Sequence, residues 1–316
     1  MRRENNRFWL KMSALVLALL SRFYVVYLVV GAVAHLSRRI ESIHLTYPAE
    51  PRFREAYTFQ VGYLQGLYRA LEWISSPIAM FSQGGGLGLA LAVAADEKCL
   101  MIPENEVRLR QLLRRMRCIQ RLVGAEKMTF AGLLPSHLAK HQIDTGTLVV
   151  SDPREATRCA LLSAIDQVVE KDFEGVRPPI LLFGGAGYIG CDLAKALQKK
   201  GDVLHIIDVK GPSEAQETLL PKLKGQAVIF VDVARRNAIK PVVPHLWPEL
   251  VLLNETYPEP SGAVLAEIHA RGVRVRHVAG VEGTMKPNLP GGYSGAVPCC
   301  AAHKITDETR AVLKNL

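Results

Sequence analysis

The spacing of apolar and polar residues predicts a long amphipathic helix in the first half of the chain. Over residues 104–123 the apolar side chains recur three and four positions apart, which is the spacing of one helix face, and Gly124 ends the pattern. The opposite face carries arginines at positions 108, 110, 114, 115, 117 and 121. Such a face is either a solvated basic surface or a docking site for an acidic partner or for phosphates.

A second helix is predicted to begin at Pro153. Asp152 is placed to cap it, and Glu155 completes the capping pattern. The segment "DFEGVRPP" that follows has the composition of a linker. We therefore predict three regions: a hydrophobic N-terminal segment (1–40), a substrate or partner domain (41–174) and a nucleotide-binding domain (175–316).

The pattern changes in the last third, where short apolar strands alternate with helices. Strands are predicted at 180–183, 203–208, 227–233, 250–255 and 273–280, with a helix between the last two. Alternation of this kind predicts an α/β fold with a doubly wound parallel sheet in the C-terminal half. The N-terminal domain is predicted to be α/β or mostly helical.

The first of these strands runs into a glycine-rich turn and then a helix. The turn reads Gly185-Ala186-Gly187-Tyr188-Ile189-Gly190, which is the GxGxxG fingerprint of Rossmann-type dinucleotide binding. The glycines permit a tight turn, approach of a pyrophosphate to the backbone, and close packing of helix on strand. We therefore expect these six residues to bind NAD(P)H.

Asp208 ends the second strand at nearly the spacing expected of an acid that binds the adenosine ribose. This acid favours NAD over NADP, although Lys210 nearby weakens the preference. Ligands of such sheets bind beyond the carboxyl ends of the strands. We therefore expect Asn254, with a role in cofactor binding, and also Tyr257 and Glu282, to line the cleft.

The N-terminal segment 12–36 is apolar enough to interact with a membrane. Its length would also allow a bilayer span. However, most of the flanking positive charge precedes it, and the positive-inside rule would then export a nucleotide-using domain. A signal peptide meets the same objection. We favour an interfacial anchor or a buried first element of the fold.

Composition adds few constraints. The chain has 316 residues, 49% of them hydrophobic, and a formal charge of +9, which favours anionic partners. Its six cysteines lack the spacing of a zinc site or a disulfide scaffold. We expect a cytoplasmic protein, associated with a membrane if the N-terminal segment is an anchor, and we expect neither a metal nor a nucleic-acid partner.

The order of four motifs resembles that of the long-chain acyl-[acyl-carrier-protein] reductases, which are related to shikimate and glutamyl-tRNA-reductase-like proteins. The motifs are "CLMIPENEVRLRQLLRRM", "MTFAGLLPSHL", "DPREATRCALLSAID" ahead of the fingerprint, and "LLNETYPEPS" followed by "HVAGVEG" and a cysteine. The resemblance covers roughly residues 95–305. It implies NAD(P)H-dependent reduction of a fatty acyl thioester, carried by acyl carrier protein or coenzyme A, to a fatty aldehyde.

Two adjacent cysteines, Cys299 and Cys300, follow a glycine-rich stretch near the end of the chain. By the resemblance, Cys299 is the nucleophile that forms an acyl-cysteine, with Cys300 beside it. The start of a helix behind a proline would lower a thiol pKa, and His303, one helical turn further on, could move the proton. Alternatively, both cysteines are small packing residues.

Two other functions are compatible with the sequence. The first is a shikimate-dehydrogenase-like alcohol or ketone oxidoreductase, which would need a Lys/Asp pair such as Lys140 and Asp144 in the first domain. The second is a non-catalytic nucleotide sensor that binds a partner through its arginine helix. Cysteine alkylation would distinguish the reductase from both.

Overall fold

The computed structural model describes residues 12–13, 15–37, 40–50, 53, 71–145, 152–208, 219–289, 293, 295–306 and 308–316. The chain forms two compact units. The N-terminal unit comprises Met1–Pro153, Gly283–Pro290 and Cys300–Lys304. The C-terminal unit comprises Arg154–Glu282, Gly291–Cys299 and Ile305–Leu316.

The N-terminal unit contains a mixed five-stranded sheet. Its strands are β1 (Ile40–Thr46), β2 (Ser76–Gln83), β3 (Gly86–Ala92), β4 (Lys127–Phe130) and β10 (Thr284–Lys286). The strand order is β10-β2-β3-β1-β4, in which β1 is parallel to β3 and β4 while β2 is antiparallel to both β3 and β10. Of the two predicted classes for this unit, α/β is therefore the correct one.

Helices cover this sheet. They are α1 (Val25–Ser37), α2 (Glu97–Met101), α3 (Glu106–Val123) and α4 (Leu134–Lys140), with a 3₁₀ turn at Pro103–Asn105. The prediction of α3 is confirmed: its apolar face, including Leu109, Leu113 and Met116, is buried in the core. Gly124 ends the helix in the left-handed conformation at φ 70°, which glycine adopts without steric cost.

The sequence analysis missed strands β1 to β3. The signal for the β2–β3 hairpin is the pair Gly84 and Gly85, which have φ values of 56° and 76° and lie between two apolar runs. The two glycines and two alanines among the seven residues of β3 obscured its strand character, because both residue types are depleted in strands.

The apolar N-terminal segment forms two helical pieces, Leu15–Arg22 and Val25–Ala34, which meet at an angle of 84°. Within the described part of the chain, no single helix is long and apolar enough to cross a membrane, although this bent pair satisfies the requirement in length and composition. One face of α1 is buried, with Tyr27 fully inaccessible. The prediction of a buried first element therefore describes that face.

The C-terminal unit contains the predicted doubly wound sheet. Its strands are β5 (Ile180–Phe183), β6 (Leu204–Ile207), β7 (Val228–Asp232), β8 (Leu250–Asn254), β9 (Arg274–Val281) and β11 (Ala311–Asn315). The order is β11-β9-β8-β7-β5-β6, and every pairing is parallel except that of β11 with β9. In order of occurrence these strands run 2-1-3-4-5, followed by the antiparallel sixth strand, and 2-1-3-4-5 is one of the two common doubly wound orders.

Alternate residues of this sheet pack into two separate cores. Leu181, Phe183 and Phe230 face the core that contains α7 (Gly262–His269) and the 3₁₀ turn Val243–His245. Ile180 and Leu182 face the core formed with α5 (Pro153–Asp172) and α6 (Gly190–Lys200). Burial on both faces explains why these strands read as continuous apolar runs.

The division between the units lies at Pro153, not at residue 174 as predicted. Helix α5 buries Leu161, Ile165 and Val168 against the C-terminal sheet, so it belongs with the unit that follows it. Residues 283–290 and 300–304, which were predicted to lie in the C-terminal domain, belong to the N-terminal unit. A pairing across slightly more than 200 residues, such as that of β10 with β2, has no local sequence signal.

Candidate functional site

The glycine loop between β5 and α6 makes the tight turn that the fingerprint predicts. The glycine at that turn is Gly184, one residue before the predicted Gly185. Gly184, directly before the fingerprint, takes the left-handed conformation at φ 91°. A methyl group at Gly190 would lie 2.1 Å from the carbonyl oxygen of Gly184, so only glycine permits this approach of helix to strand. The loop thus presents the start of α6 at the end of β5.

Asp208, which follows β6, contacts the glycine loop directly. Its Oδ2 accepts a hydrogen bond of 2.9 Å from the backbone N–H of Ala186. The carboxylate therefore lies where an acid at the end of the second strand can reach a ribose bound at the loop. Lys210 lies outside the described residues.

Tyr188, inside the fingerprint, is 36% exposed. The guanidinium of Arg154 lies 4.7 Å from the centre of its ring, a cation–π contact. Arg154 lies in the first turn of α5, the helix that packs on this face of the sheet, so a positive charge lies beside the loop.

These residues fit a dinucleotide. The close approach at Gly190 and the left-handed Gly184 are what a pyrophosphate-binding turn requires, and a helix of 11 residues begins at the loop. A bound dinucleotide would be held by the loop Gly185–Gly190 and by Asp208. The switch point of this strand order, between β5 and β7, lies beside the same loop.

Two acidic residues lie at the carboxyl edge of the neighbouring strands. Asp232 ends β7 and pairs in register with Phe183 of β5 and with Asn254 of β8. It is buried; its Oδ1 accepts a 3.0 Å hydrogen bond from the N–H of Ala234, and its Oδ2 has no hydrogen-bond partner among the described residues. Burial raises the pKa of Asp232 to about 7.

Glu255 follows β8 and contacts a cysteine. Cys299 donates a hydrogen bond of 3.7 Å from its Sγ to Oε1 of Glu255. Burial raises the pKa of Glu255 to about 7; the bond from Cys299 lowers it and the charge of Asp232 raises it. The residue as a whole is half-buried.

The acid pair and the glycine loop are adjacent. A methyl group at Gly184 would lie 2.9 Å from the backbone nitrogen of Ala234, the residue that Asp232 caps. The backbone N–H of Glu255 donates to the carbonyl of Asp232 at 3.0 Å. One continuous set of contacts thus joins the turn after β5 to Asp232, Glu255 and Cys299.

Asn254, expected at the cofactor, is fully buried in a polar network. Its Nδ2 lies 2.8 Å from Nδ1 of His277 and donates to the carbonyl of Thr256 at 3.3 Å, while its Oδ1 accepts from the Thr256 hydroxyl at 2.9 Å. These bonds connect the end of β8 to the middle of β9. Tyr257, in the next turn, stacks on Tyr293 with ring centres 4.7 Å apart.

The three predicted catalytic residues fall into different units. Cys299 belongs to the C-terminal unit beside Glu255, whereas Cys300 packs against the core of the N-terminal unit. Cys299–Ala301 is a single 3₁₀ turn, so the expected α-helix dipole at Cys299 is absent.

His303, also in the N-terminal unit, is nearly buried. Its ring meets Phe81 edge-on, and its Nε2 lies 3.4 Å from Oε2 of Glu41. Burial lowers its pKa. The structure therefore brings Cys299 together with Glu255, and His303 with Glu41.

Sequence reasoning missed Asp232 and Glu255 as individual site residues, although it placed their loops at the cleft. Each is an acid at or directly after the end of an apolar strand, in "VIFVD" and "LVLLNE". An acid in that position on adjacent parallel strands is the signal that could have found them, because those strand ends share one edge.

Comparisons with known proteins leave the family open. No family model and no curated protein matches the sequence. Among solved structures, L-tryptophan dehydrogenase from Nostoc punctiforme aligns over 75% of this chain and 69% of its own, at 14% identity and a TM-score of 0.36.

A shikimate dehydrogenase in complex with NADP+ aligns over 76% of this chain and 85% of its own, at 14% identity and a TM-score of 0.37. A luciferase-like enzyme from the mealworm Zophobas morio aligns over 79% and 62%, at 8% identity and a TM-score of 0.27. None of these likenesses is strong enough to indicate a function for this chain.

Proposed function

We propose that this protein is a nicotinamide-dinucleotide-dependent oxidoreductase that acts on a carbonyl group, with Glu255 as the residue that exchanges a proton with the substrate. One observation carries the proposal. Glu255, a half-buried residue, lies at the strand edge next to the glycine loop, and its carboxyl group contacts a thiol. Hydride chemistry at a carbonyl needs a proton donor at the oxygen, and Glu255 supplies one.

The surroundings of Glu255 suit this role. Burial keeps its pKa close to 7, so that the group is partly protonated at neutral pH and can both give and accept a proton. Asp232, buried behind it, raises that pKa further by its negative charge when ionised. A bound nicotinamide would supply or accept the hydride. The chain's own residues orient the carbonyl oxygen toward Glu255 and move the proton.

The contact of Cys299 with Glu255 favours a second candidate, reduction of an acyl thioester. Ionised Glu255 would take the thiol proton from Cys299, and the thiolate would attack the thioester carbonyl. The carrier thiol would leave with that proton, and an acyl-cysteine would remain for reduction to the aldehyde. The acyl group would come from acyl carrier protein or coenzyme A.

The shikimate-dehydrogenase-like alternative involves the same type of reaction as the main proposal, hydride transfer between a cofactor and a carbonyl or alcohol group. It differs in the residues predicted to move the proton. Lys140, at the end of α4, and Asp144, just after it, are both exposed residues of the N-terminal unit. Glu255 takes the place of this pair as proposed proton donor. Asp208 at the loop supports NAD as the preferred cofactor.

A pH profile separates the two reactions. Carbonyl reduction needs protonated Glu255, so its rate is expected to fall as the pH rises above about 7; thioester attack needs the ionised form, so its rate is expected to rise through the same pH. Single-turnover absorbance at 340 nm with NADH or NADPH, between pH 5.5 and 9, measures both. The matched substrates are a small ketone panel and a long-chain acyl thioester.

Variants identify the groups responsible. Glu255→Gln should reduce the rate at least about 100-fold and remove the inflection, a loss typical of a general acid or base. Glu267→Gln, an exposed glutamate of α7, is the control. Cys299→Ser should abolish an acyl adduct detected by mass spectrometry and leave ketone reduction unchanged, with exposed Cys191→Ser as its control.

Three results would overturn the proposal. If the purified protein bound neither NADH nor NADPH, the proposed dependence on a nicotinamide dinucleotide would be wrong. If the protein bound the cofactor but turned over neither class of substrate, the non-catalytic nucleotide sensor would be the remaining function. Turnover that Glu255→Gln does not alter would remove Glu255 from the chemistry.

A further inference from the structure

The first two helical pieces of the N-terminal unit carry a large apolar surface. Seven large apolar side chains there, the outer apolar surface, are between 42% and 69% exposed: Val16, Leu20, Phe23, Val25, Leu28, Val29 and Val33. The sequence from residue 15 to 37 contains no acidic residue. Contiguous exposed apolar side chains of this kind mark a site of interaction with a membrane or another protein.

The inner face of the same helices is fixed to the fold. Tyr27 donates a 2.7 Å hydrogen bond from its hydroxyl to the carbonyl of Ser75. A methyl group at Gly31 would lie 2.3 Å from the carbonyl oxygen of Leu122, so α1 packs closely on α3. The outer apolar surface is therefore presented by a docked helix.

The angle between the two pieces is also built into the structure. Tyr24 takes the left-handed conformation at φ 62° where the pieces meet. Arg115 of α3 lies 4.4 Å from the centre of the Tyr24 ring and donates to the carbonyls of Ser21 and Arg22. An 84° angle does not suit a single crossing of a bilayer, whereas two helices that meet at an angle can both lie along a flat surface.

Basic residues accompany the outer apolar surface. Arg22 ends the first piece and is exposed, and Arg108 and Arg114 are exposed on α3, the helix on which α1 packs. Glu106, the acidic residue in the first turn of α3, is paired with Arg110 at 2.7 Å. Exposed positive charge on a unit that also exposes apolar side chains is complementary to a membrane surface that carries anionic lipids.

We propose that the outer apolar surface and the adjacent arginines bind the protein to the surface of an anionic lipid bilayer, without spanning it. The apolar side chains enter the boundary between headgroups and acyl chains, and the arginines contact the lipid phosphates. This binding is independent of the reaction proposed for the C-terminal unit.

Co-sedimentation with vesicles tests the proposal. The full chain should bind vesicles of equal phosphatidylglycerol and phosphatidylcholine, and bind at least tenfold less to phosphatidylcholine alone. Phe23→Ser with Leu28→Ser should reduce binding at least tenfold. The matched control is Val176→Ser with Val203→Ser, which removes two exposed apolar side chains from the C-terminal unit and should leave binding unchanged.

A second pair of variants tests the charge. Arg108→Gln with Arg114→Gln should remove most of the preference for phosphatidylglycerol, and 500 mM salt should do the same to the unaltered protein, since surface electrostatics are screened. Circular dichroism and light scattering on every variant establish that fold and oligomeric state are retained.

Absence of binding to phosphatidylglycerol vesicles would overturn the proposal, as would binding that the Phe23 and Leu28 changes do not reduce. So would a dimer of the unaltered protein that becomes a monomer in this variant, because a second copy would then be the occupant.

Discussion

Each of the two sheets places two polar side chains from neighbouring parallel strands close together, but at different positions along the strands. In the N-terminal sheet, His44 and Thr129 stand opposite each other inside β1 and β4, joined by a 2.8 Å hydrogen bond. In the C-terminal sheet, Asp232 and Glu255 lie where β7 and β8 end. A polar pair inside the strands is surrounded by the adjacent strands and helices. A pair at the carboxyl ends of the strands lies at the edge beyond which doubly wound sheets bind their ligands.

The two pairs also differ in when they change charge. Burial lowers the pKa of His44 to about 3, so this histidine is neutral throughout the physiological range. Burial raises the pKa of Asp232 and of Glu255 to about 7, so these acids change charge within it. The comparison teaches that burial keeps a histidine inside one sheet neutral, whereas it brings the pKa of the acids at the edge of the other sheet into the physiological range.

The largest expected effect lies at the glycine loop, which the N-terminal sheet lacks. Gly190→Val would place its side chain on the carbonyl of Gly184, and we expect dinucleotide affinity to fall more than 100-fold. Fluorescence titration with NADH and NADPH measures it. Gly262→Val is the control, because a side chain there meets no atom within 4 Å. Equal affinities in the two variants would show that the loop does not bind the dinucleotide.

Asp232→Asn should change the pH dependence of stability. The unfolded chain releases this proton near pH 4 and the folded chain near pH 7, so the free energy of unfolding falls as the pH rises from 4 to 7 and stays low above 7. The variant lacks this loss. We expect it to be more stable than the unaltered protein by about 4 kcal/mol at pH 8, and by only about 1 kcal/mol at pH 4.5.

Urea unfolding at both pH values, followed by tryptophan fluorescence, measures this difference. Glu255 still titrates in the variant, so part of the pH dependence remains. A gain of the same size at pH 4.5 and pH 8 would contradict the assignment of the proton to Asp232.

The smallest expected effect lies in the N-terminal sheet. Thr129→Val keeps the shape of the side chain but leaves Nδ1 of His44 without its buried partner, which should cost about 1 to 3 kcal/mol. Because His44 stays neutral, the cost should be the same at pH 6 and pH 9. Thr284→Val, at an exposed position of β10, is the control. A cost that varies with pH would show that His44 titrates in this range.

The sequence predicted the parts of the fold that have a local signal. The helix α3, the start of α5 and the strands β5 to β9 follow from apolar periodicity, capping residues and the glycine fingerprint. Strands β10 and β11 were missed. Each is short and forms a strand by pairing with β2 or β9, and this pairing is determined by the tertiary fold and not by a local sequence pattern.

The candidate site was predicted less completely. The loop at Gly185–Gly190 and the position of Asp208 could be derived from spacing alone. The contact of Cys299 with Glu255 could not, because 44 residues separate them and only the packed structure brings them together. An α-helix at Cys299 would have placed His303 one turn away from it, but Cys299–Ala301 is a 3₁₀ turn and Cys299 contacts Glu255.

The division of the chain between the units has a consequence for synthesis. Lys304, whose Nζ pairs with Glu41 and whose carbonyl accepts from Gln83, completes the N-terminal unit, and β10 supplies its edge strand. During translation these segments leave the ribosome only after nearly all of the C-terminal unit. Neither unit can therefore be finished while the polypeptide is still short. A newly made chain must keep its first sheet open, with an unpaired edge on β2, until Thr284–Lys286 have been added and have left the ribosome.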